Sequence, residues 1–356
     1  MTPRERVLRC LNHERTDRVP LSGSLRPEVW DKLKKHFGTE DTETIRETLG
    51  FDFKSAGMGL AEDFRERAIS TDWGGAVIPH GDDTYETEWG VRIAPGQSRR
   101  YMRYIHCPLA DESNLDSYNL PSLDALGRWE GIEEQVRRLK EKYVVSGGVS
   151  TFFRNAWDLC GLENWLAHLA SPGPFVEKLL DRLLEYKLEQ TRRLSQAGID
   201  IFSVGGDIAM HTRLFMRPEV WREHFKWRDA RLIEEARRYG VEHFFFHTDG
   251  NLMEVMEDLI EIGFTIFDPI QPECMDPYVV KARWGETITL HGTISSQQTL
   301  PFGTVEDVRR EVGERIERCG VNGGLVIAPN NVVQYDVPLE NLLAVYETAK
   351  EASVEE

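Results

Sequence analysis

The sequence predicts an α/β fold, a (β/α)8 TIM barrel carrying an inserted β-hairpin region near its N-terminal third. Three observations point there. Short apolar runs alternate with longer amphipathic stretches; most of the runs end on glycine or a polar residue; and counting two early ones there are eight, the arithmetic of a parallel barrel in which each strand is followed by a helix. A doubly wound nucleotide-binding sheet would need a glycine-rich phosphate turn, and neither GxGxxG nor GxxxxGK[ST] occurs. The chain is read as one barrel domain, 1–356, with 62–108 as its insertion.

Taken in order, Thr2-Pro3 opens a short helix on Val7, Leu8 and Leu11, an N-cap followed by a first-turn proline. After Pro20 a first strand runs to about Ser24, helices follow over 27–37 and 42–49, and 51–58 gives a second strand. From 62 to 108 the texture changes. Trp73-Gly74-Gly75, Gly81-Asp82-Asp83, Trp89-Gly90 and Pro95-Gly96 punctuate short segments, the pattern of antiparallel hairpins forming a lid or rim. A charged amphipathic helix spans 128–142. Strands then fall at 143–149, 199–204, 241–247, 265–270, 287–290 and 325–327, with helices at 159–169, 174–197, 218–239, 252–262, 277–284, 305–319 and 339–350 between and after them. Prolines 174, 218, 277 and 338 stand where helices open and a missing N–H costs least.

Bulk properties narrow the function. With 43 Lys+Arg against 60 Asp+Glu the net charge is −17, which excludes a phosphate-backbone or anionic-membrane partner, because both need basic patches. Five cysteines, odd in number and without a CxxC pair, indicate neither a disulfide framework nor a thiolate zinc finger. The N-terminus lacks an apolar signal core and no apolar run reaches membrane-spanning length. A cytoplasmic enzyme acting on a small molecule is the expectation.

The most informative stretch is 241–250, an apolar aromatic run closing on His247-Thr248-Asp249-Gly250. Strand side chains alternate, so His247 and Asp249 share a face at the carboxyl end of a buried strand, where barrels place their chemistry. The other strand exits bring Ser146, Asp207, His211, Gln271, Glu273, Cys274, His291, Thr293, Asn330, Asn331 and Gln334 toward the same rim. An imidazole and carboxylates are ordinary ligands of a divalent ion, so His247 and Asp249, completed by Asp207 and by Glu273, Cys274 or His291, form a candidate metal site. The same residues also admit a structural reading, with Asp249 capping the next helix and Asn251 and Glu254 spaced as a capping box. Asp207, His247 and Asp249 are the candidate catalytic residues; Asn330, Asn331, Gln271, Trp157, Phe153 and His291 are the candidate substrate contacts, the two aromatics as walls of a pocket.

Four motifs carry a family resemblance: Arg4-Glu5-Arg6-Val7 with Arg15-Thr16-Asp17-Arg18-Val19-Pro20; His247-Thr248-Asp249-Gly250-Asn251; Leu290-His291-Gly292-Thr293-Ile294; and Ala328-Pro329-Asn330-Asn331 with Asp336-Val337-Pro338-Leu339-Glu340-Asn341. In these the chain resembles the uroporphyrinogen decarboxylase superfamily, which also contains corrinoid-dependent methyltransferases. The resemblance implies a (β/α)8 barrel and a homodimer.

It departs from the true decarboxylases, which carry a Met-Arg-Gln-Ala-Gly-Arg segment after the first strand where this chain reads Leu21-Ser22-Gly23-Ser24-Leu25-Arg26-Pro27. It departs also from the methyltransferase branch, whose zinc-binding His-x-Cys and later Cys become here His247-x-Asp249 and an amide near Asn330. Losing two soft thiolates makes the site harder and better suited to polarising an ether or alcohol oxygen. The resemblance therefore implies, first, a methyltransferase that takes a methyl group from a small substrate such as an aromatic methyl ether to a corrinoid on a partner protein, an O-demethylation assisted by zinc. A porphyrinogen carboxy-lyase and a non-catalytic corrinoid- or tetrapyrrole-binding protein are the alternatives.

Overall fold

The computed structural model describes residues 1–71, 75–96 and 102–352. Seven parallel strands form a curled sheet in the order β1 (Phe53–Ser55), β7 (Val144–Ser150), β8 (Ile201–Gly205), β9 (His243–His247), β10 (Ile266–Asp268), β11 (Thr289–His291) and β12 (Leu325–Val326). The eighth place belongs to Leu21, a single residue bridged in parallel to Ile327 on one side and Phe51 on the other. The α/β barrel expected from the sequence is thus present, with one wall reduced to a bridge.

That reduction is a departure from the strand expected up to Ser24, and it has a cause. The Leu21 N–H donates to the Asp52 carboxylate at 2.9 Å. The next residues run beside Tyr346, whose hydroxyl would clash with any Cβ on Gly23. Asp52 is fully buried and also takes Arg6 at 2.7 Å and Arg18 at 2.8 Å, while Arg6 holds Asp17 at 2.6 Å. Arg4 forks onto Asp200 at 2.6 and 2.8 Å. The arginine-rich opening motif therefore clamps the helix α1 (Pro3–Leu11) to the barrel. Val7 and Leu11 of α1 close one end of the barrel against Val144, Ile201 and Ile266, with Phe53 and Phe245 packed on them. Outside the sheet, Phe202, Phe244, Phe246, Phe267 and Leu290 face the helix layer in the main core, the alternation expected of strand side chains.

Between β1 and β7 the chain forms a second, antiparallel sheet of five strands in sequence order: β2 (Ile69–Thr71), β3 (Gly75–Gly81), β4 (Thr84–Glu86), β5 (Arg92–Pro95) and β6 (Met102–His106). The turn signal at Trp73-Gly74 lies outside the described residues. This sheet is tied to the barrel by Arg128, which forks onto Glu88 at 2.6 and 2.8 Å, and by Tyr104, which donates to Asp158 and accepts from Arg154.

Several helix expectations change in detail. Residues 152–170 form two helices, Phe152–Cys160 and Leu162–Ala170, because Gly161 takes a φ of +82° between them. The 128–142 helix shortens to Ile132–Lys140, since Arg128 is spent on Glu88. The 218–239 helix runs through a π-helical turn over Arg222–Lys226. The capping box at Asn251 and Glu254 does not form; the helix starts later, at Met256–Ile262, and Asn251 instead accepts the Met253 N–H at 3.0 Å. Among the described residues no helix is long and apolar enough to cross a membrane.

Candidate metal and active site

Parallel register places the site. Gly205 of β8 is paired with His247 of β9, and His247 with Asp268 of β10. Phe267 is paired with Leu290, which brings Asp268 beside His291 of β11. Asp268, His247 and His291 line one cavity at the mouth, with glycine opposite the imidazole. His247 and His291 each set Nδ1 on the Asp268 carboxylate, at 2.6 and 2.5 Å. Such close approach requires Gly292, with φ +67°, where an added Cβ would lie 2.5 Å from Asp268 Oδ1.

Beyond the strand ends, Asp207 and Asp249 join His247. Gly206, with φ +137°, lets the chain turn past Arg154, where a Cβ would lie 2.8 Å away. Asp207 Oδ1 then accepts the Asp249 N–H at 3.0 Å, and Asp249 Oδ2 accepts from the Asn331 amide at 2.5 Å. One ligand atom from each of Asp207, His247 and Asp249 lies within 4.8 Å of the others. The second carboxylate oxygen of Asp249, Oδ1, is buried and has no hydrogen-bond partner among the described residues. A buried lone pair without a donor is costly, and a bound cation would satisfy it. One imidazole and two carboxylates are three donors of the types that bind divalent ions.

The electrostatics agree with this grouping. Burial and the neighbouring Asp207 charge push the Asp249 carboxyl up to about 6. Burial alone would lower His247, but the Asp268 hydrogen bond and the charges of Asp268, Asp249 and Asp207 outweigh it and raise the imidazole to about 9. Burial opposes ionisation of Asp268, yet the two imidazoles hold it well below the usual carboxylate range. The pocket is built for positive charge.

Not every residue expected at the site arrives there. Glu273 is turned aside: Ser295 donates to one of its oxygens and the Asn330 amide to the other at 2.9 Å, so it does not join the metal trio. Asn330 is itself spent, its oxygen accepting from the Ser296 N–H at 3.1 Å and from the Ser296 hydroxyl. Asn330 and Asn331 nonetheless line the cavity of His247, Asp268 and His291, and the exposed Asn331 also braces Asp249. Gln271 is buried and accepts from Gly250 N at 3.3 Å, which fixes the backbone behind Asp249. Phe153 is core, fully buried and stacked on Phe215 at 5.5 Å. Trp157 packs on Tyr104 of the inserted sheet at 6.3 Å. Cys274 pairs with His211 at 3.4 Å and is not in the trio, and burial with the Glu273 and Asp249 charges pushes its thiol up to about 11.

Asp268 is the residue the sequence reading missed. It is the last residue of β10, two positions from Ile266 and therefore on its inward face; a lone carboxylate on that face of an apolar run was the available signal.

The uroporphyrinogen decarboxylase (URO-D) family matches residues 89–352. The chain belongs to that family. No curated protein matches it. Among solved structures it resembles a methyltransferase from Methanosarcina mazei, with a TM-score of 0.70, 19% identity and 99% of each chain covered. It also resembles a B12-independent methionine synthase from Shewanella sp. W3-18-1 in complex with selenomethionine, with a TM-score of 0.54, 11% identity, and 95% of this chain and 97% of that one covered. At these identities the likeness is one of fold, and this URO-D chain shares its barrel with both.

Proposed function

We propose that this URO-D family member is a methyltransferase that removes a methyl group from a small methyl ether and passes it to a corrinoid carried by a partner protein. The observation that carries this reading is the convergence of Asp207, His247 and Asp249, with the unpartnered Asp249 oxygen, at one barrel mouth.

In this reading the three residues hold a divalent ion, zinc by their donor set, which when bound supplies Lewis acidity to the ether oxygen. The bond between methyl carbon and oxygen breaks, the methyl carbon bonds to the reduced corrinoid of the partner, and the oxygen keeps the bonding pair and takes a proton. Asp268 fixes the His247 ring by holding Nδ1, leaving Nε2 for the ion. Asn331 holds the Asp249 carboxylate. To His291, the second imidazole on Asp268 and a lining residue of the same cavity, we assign delivery of the proton. The absence of thiolate ligands favours an oxygen over a sulfur substrate. Carboxylates at Asp207, Asp249 and Asp268 make the surroundings of the trio a poor host for the many carboxylates of a porphyrinogen.

The test is elemental analysis of purified protein, followed by assay of methyl transfer to added cob(I)alamin from a panel of aromatic and aliphatic methyl ethers. Stoichiometric zinc, lost in Asp207→Asn, together with methylcobalamin formation from any of the ethers, supports the reading. Metal-free protein that transfers no methyl group from the whole panel ends it.

A further inference from the structure

Beside the cavity lined by His247, Asp268 and His291 lies a second, larger one whose charged lining residues are cations. It measures about 570 Å³ against about 120 Å³ for the first, and Ser22, Gly23 and Ser24 line both. Its wall includes Trp30, Arg46, Phe53 and Lys54 and, among the described residues, no aspartate or glutamate. The two cavities adjoin across one stretch of backbone and one ring: Phe53, which lines the larger, stands 6.0 Å edge-on to His291, which lines the smaller.

The cations in this wall differ. Lys54 is committed to Glu43 and lies over the Tyr143 ring at 5.0 Å. Arg46 lies over the Trp30 ring at 4.8 Å and 5.7 Å from Phe51, and among the described residues no carboxylate pairs with it. The chain carries 60 acids and 43 bases, so an arginine without an acid at this wall is a positive site in a negative protein. A guanidinium resting on an indole keeps its N–H edge free for a planar oxyanion, which it can hold through two parallel hydrogen bonds. Arg46 comes from the helix Thr42–Leu49 and Trp30 from the helix Pro27–Phe37, both outside the barrel wall. They line this cavity on the side where that wall is only the Leu21 bridge.

We propose that this second cavity is an oxyanion subsite in which Arg46 holds a carboxylate, sulfonate or phosphate of the substrate, while the apolar part of the molecule passes Phe53 toward His247 and His291. The substrate is then an anion with its reacting group at the far end. This rests on the methyl-transfer reading for the identity of that group, whereas the subsite itself is tested without metal, corrinoid or turnover.

The experiment is fluorine NMR titration of the full chain with fluorobenzoate, fluorobenzenesulfonate, fluorophenyl phosphate and the neutral fluorobenzyl alcohol, using wild type, Arg46→Gln and Arg46→Lys, each checked by thermal melting. In wild type at least one anion binds about tenfold to a hundredfold more tightly than the alcohol, the range for a charge-assisted pair; which anion does so identifies the group. Arg46→Gln abolishes the preference and Arg46→Lys retains part of it. Equal binding of anions and alcohol to wild type, no binding of any anion, or a preference unchanged in folded Arg46→Gln overturns the proposal. If Arg46→Gln does not fold, Arg46→Lys decides: a reduced preference supports it and an unchanged one overturns it. Anion preference without methyl transfer would leave the subsite standing while the catalytic reading falls, and the reverse result would do the opposite.

Discussion

The Asp268 carboxylate accepts His247 Nδ1 at 2.6 Å from the adjacent strand, in register with it. This bond sets which imidazole nitrogen remains for an ion. Asp268→Asn keeps the shape but removes the charge that fixes tautomer and ring. Zinc affinity falls about 10- to 100-fold, the range for loss of a supporting carboxylate behind a metal-binding histidine, measured by competition with a chromophoric chelator. Unchanged affinity would show that the carboxylate does not position the ring.

Glu273 and Asp207 should separate cleanly. Glu273 is held by Ser295 and Asn330 away from the trio, whereas Asp207 contributes an oxygen to it. Glu273→Gln therefore leaves zinc content as in wild type and Asp207→Asn lowers it, read by elemental analysis after dialysis. Equal loss in both variants would return Glu273 to the ligand set.

Asp52 anchors the barrel rather than the chemistry. It is fully buried, with Arg6, Arg18 and the Leu21 N–H on its oxygens. Asp52→Ala leaves Arg18 without its acid partner and Arg6 with Asp17 alone, and costs about 3–5 kcal/mol, the usual penalty for breaking a buried ion pair from one side, measured by urea unfolding. A loss below about 1 kcal/mol, the scale of an exposed pair, would refute the anchoring role.

Lys187 supplies a pH dependence remote from the site. It is fully buried, donating to Ser150 O and Asn155 Oδ1 at 2.5 Å each, and burial lowers its ammonium from 10.5 to about 7. The folded value lies below the unfolded one, so between about 7 and 10.5 the unfolded chain binds more protons and stability rises with pH. Its contribution is up to about 1.4 kcal/mol per pH unit. In Lys187→Met that part of the slope is gone, which urea melts at several alkaline pH values will show; identical slopes in the two proteins would contradict it.

What could be read from the sequence follows from which signals are local. Short apolar runs and the glycine or polar residue that ends them are local signals, so β7 to β12 were legible, as was the shared face of His247 and Asp249 from strand alternation. The fate of Glu273 was not, because it depends on Ser295 and Asn330, which are distant in sequence. Phe153 looked like a pocket wall because its aromatic neighbours are the same whether they face a cavity or Phe215. Asp268 was overlooked because the strand was expected to run to 270, whereas it ends at Asp268 and leaves that carboxylate at the exit. Leu21 defied expectation because Asp52 supplies with a side chain what a ladder partner would have supplied with its backbone.

The bridge at Leu21 has a mechanical meaning. Around it the cylinder is joined by Ser22 N to Ile327 O at 3.0 Å, Ile327 N to Pro20 O at 3.0 Å and Asp52 N to Leu21 O at 2.9 Å, while β7 and β8 share a register five residues long. The molecule is thus less a hoop than a belt with a buckle. Local opening begins where the fewest bonds must break together, so the amide protons of Ser22, Asp52 and Ile327 will trade with deuterium sooner than those of Val145 or Phe202, and anything that cinches the buckle will stiffen the whole ring.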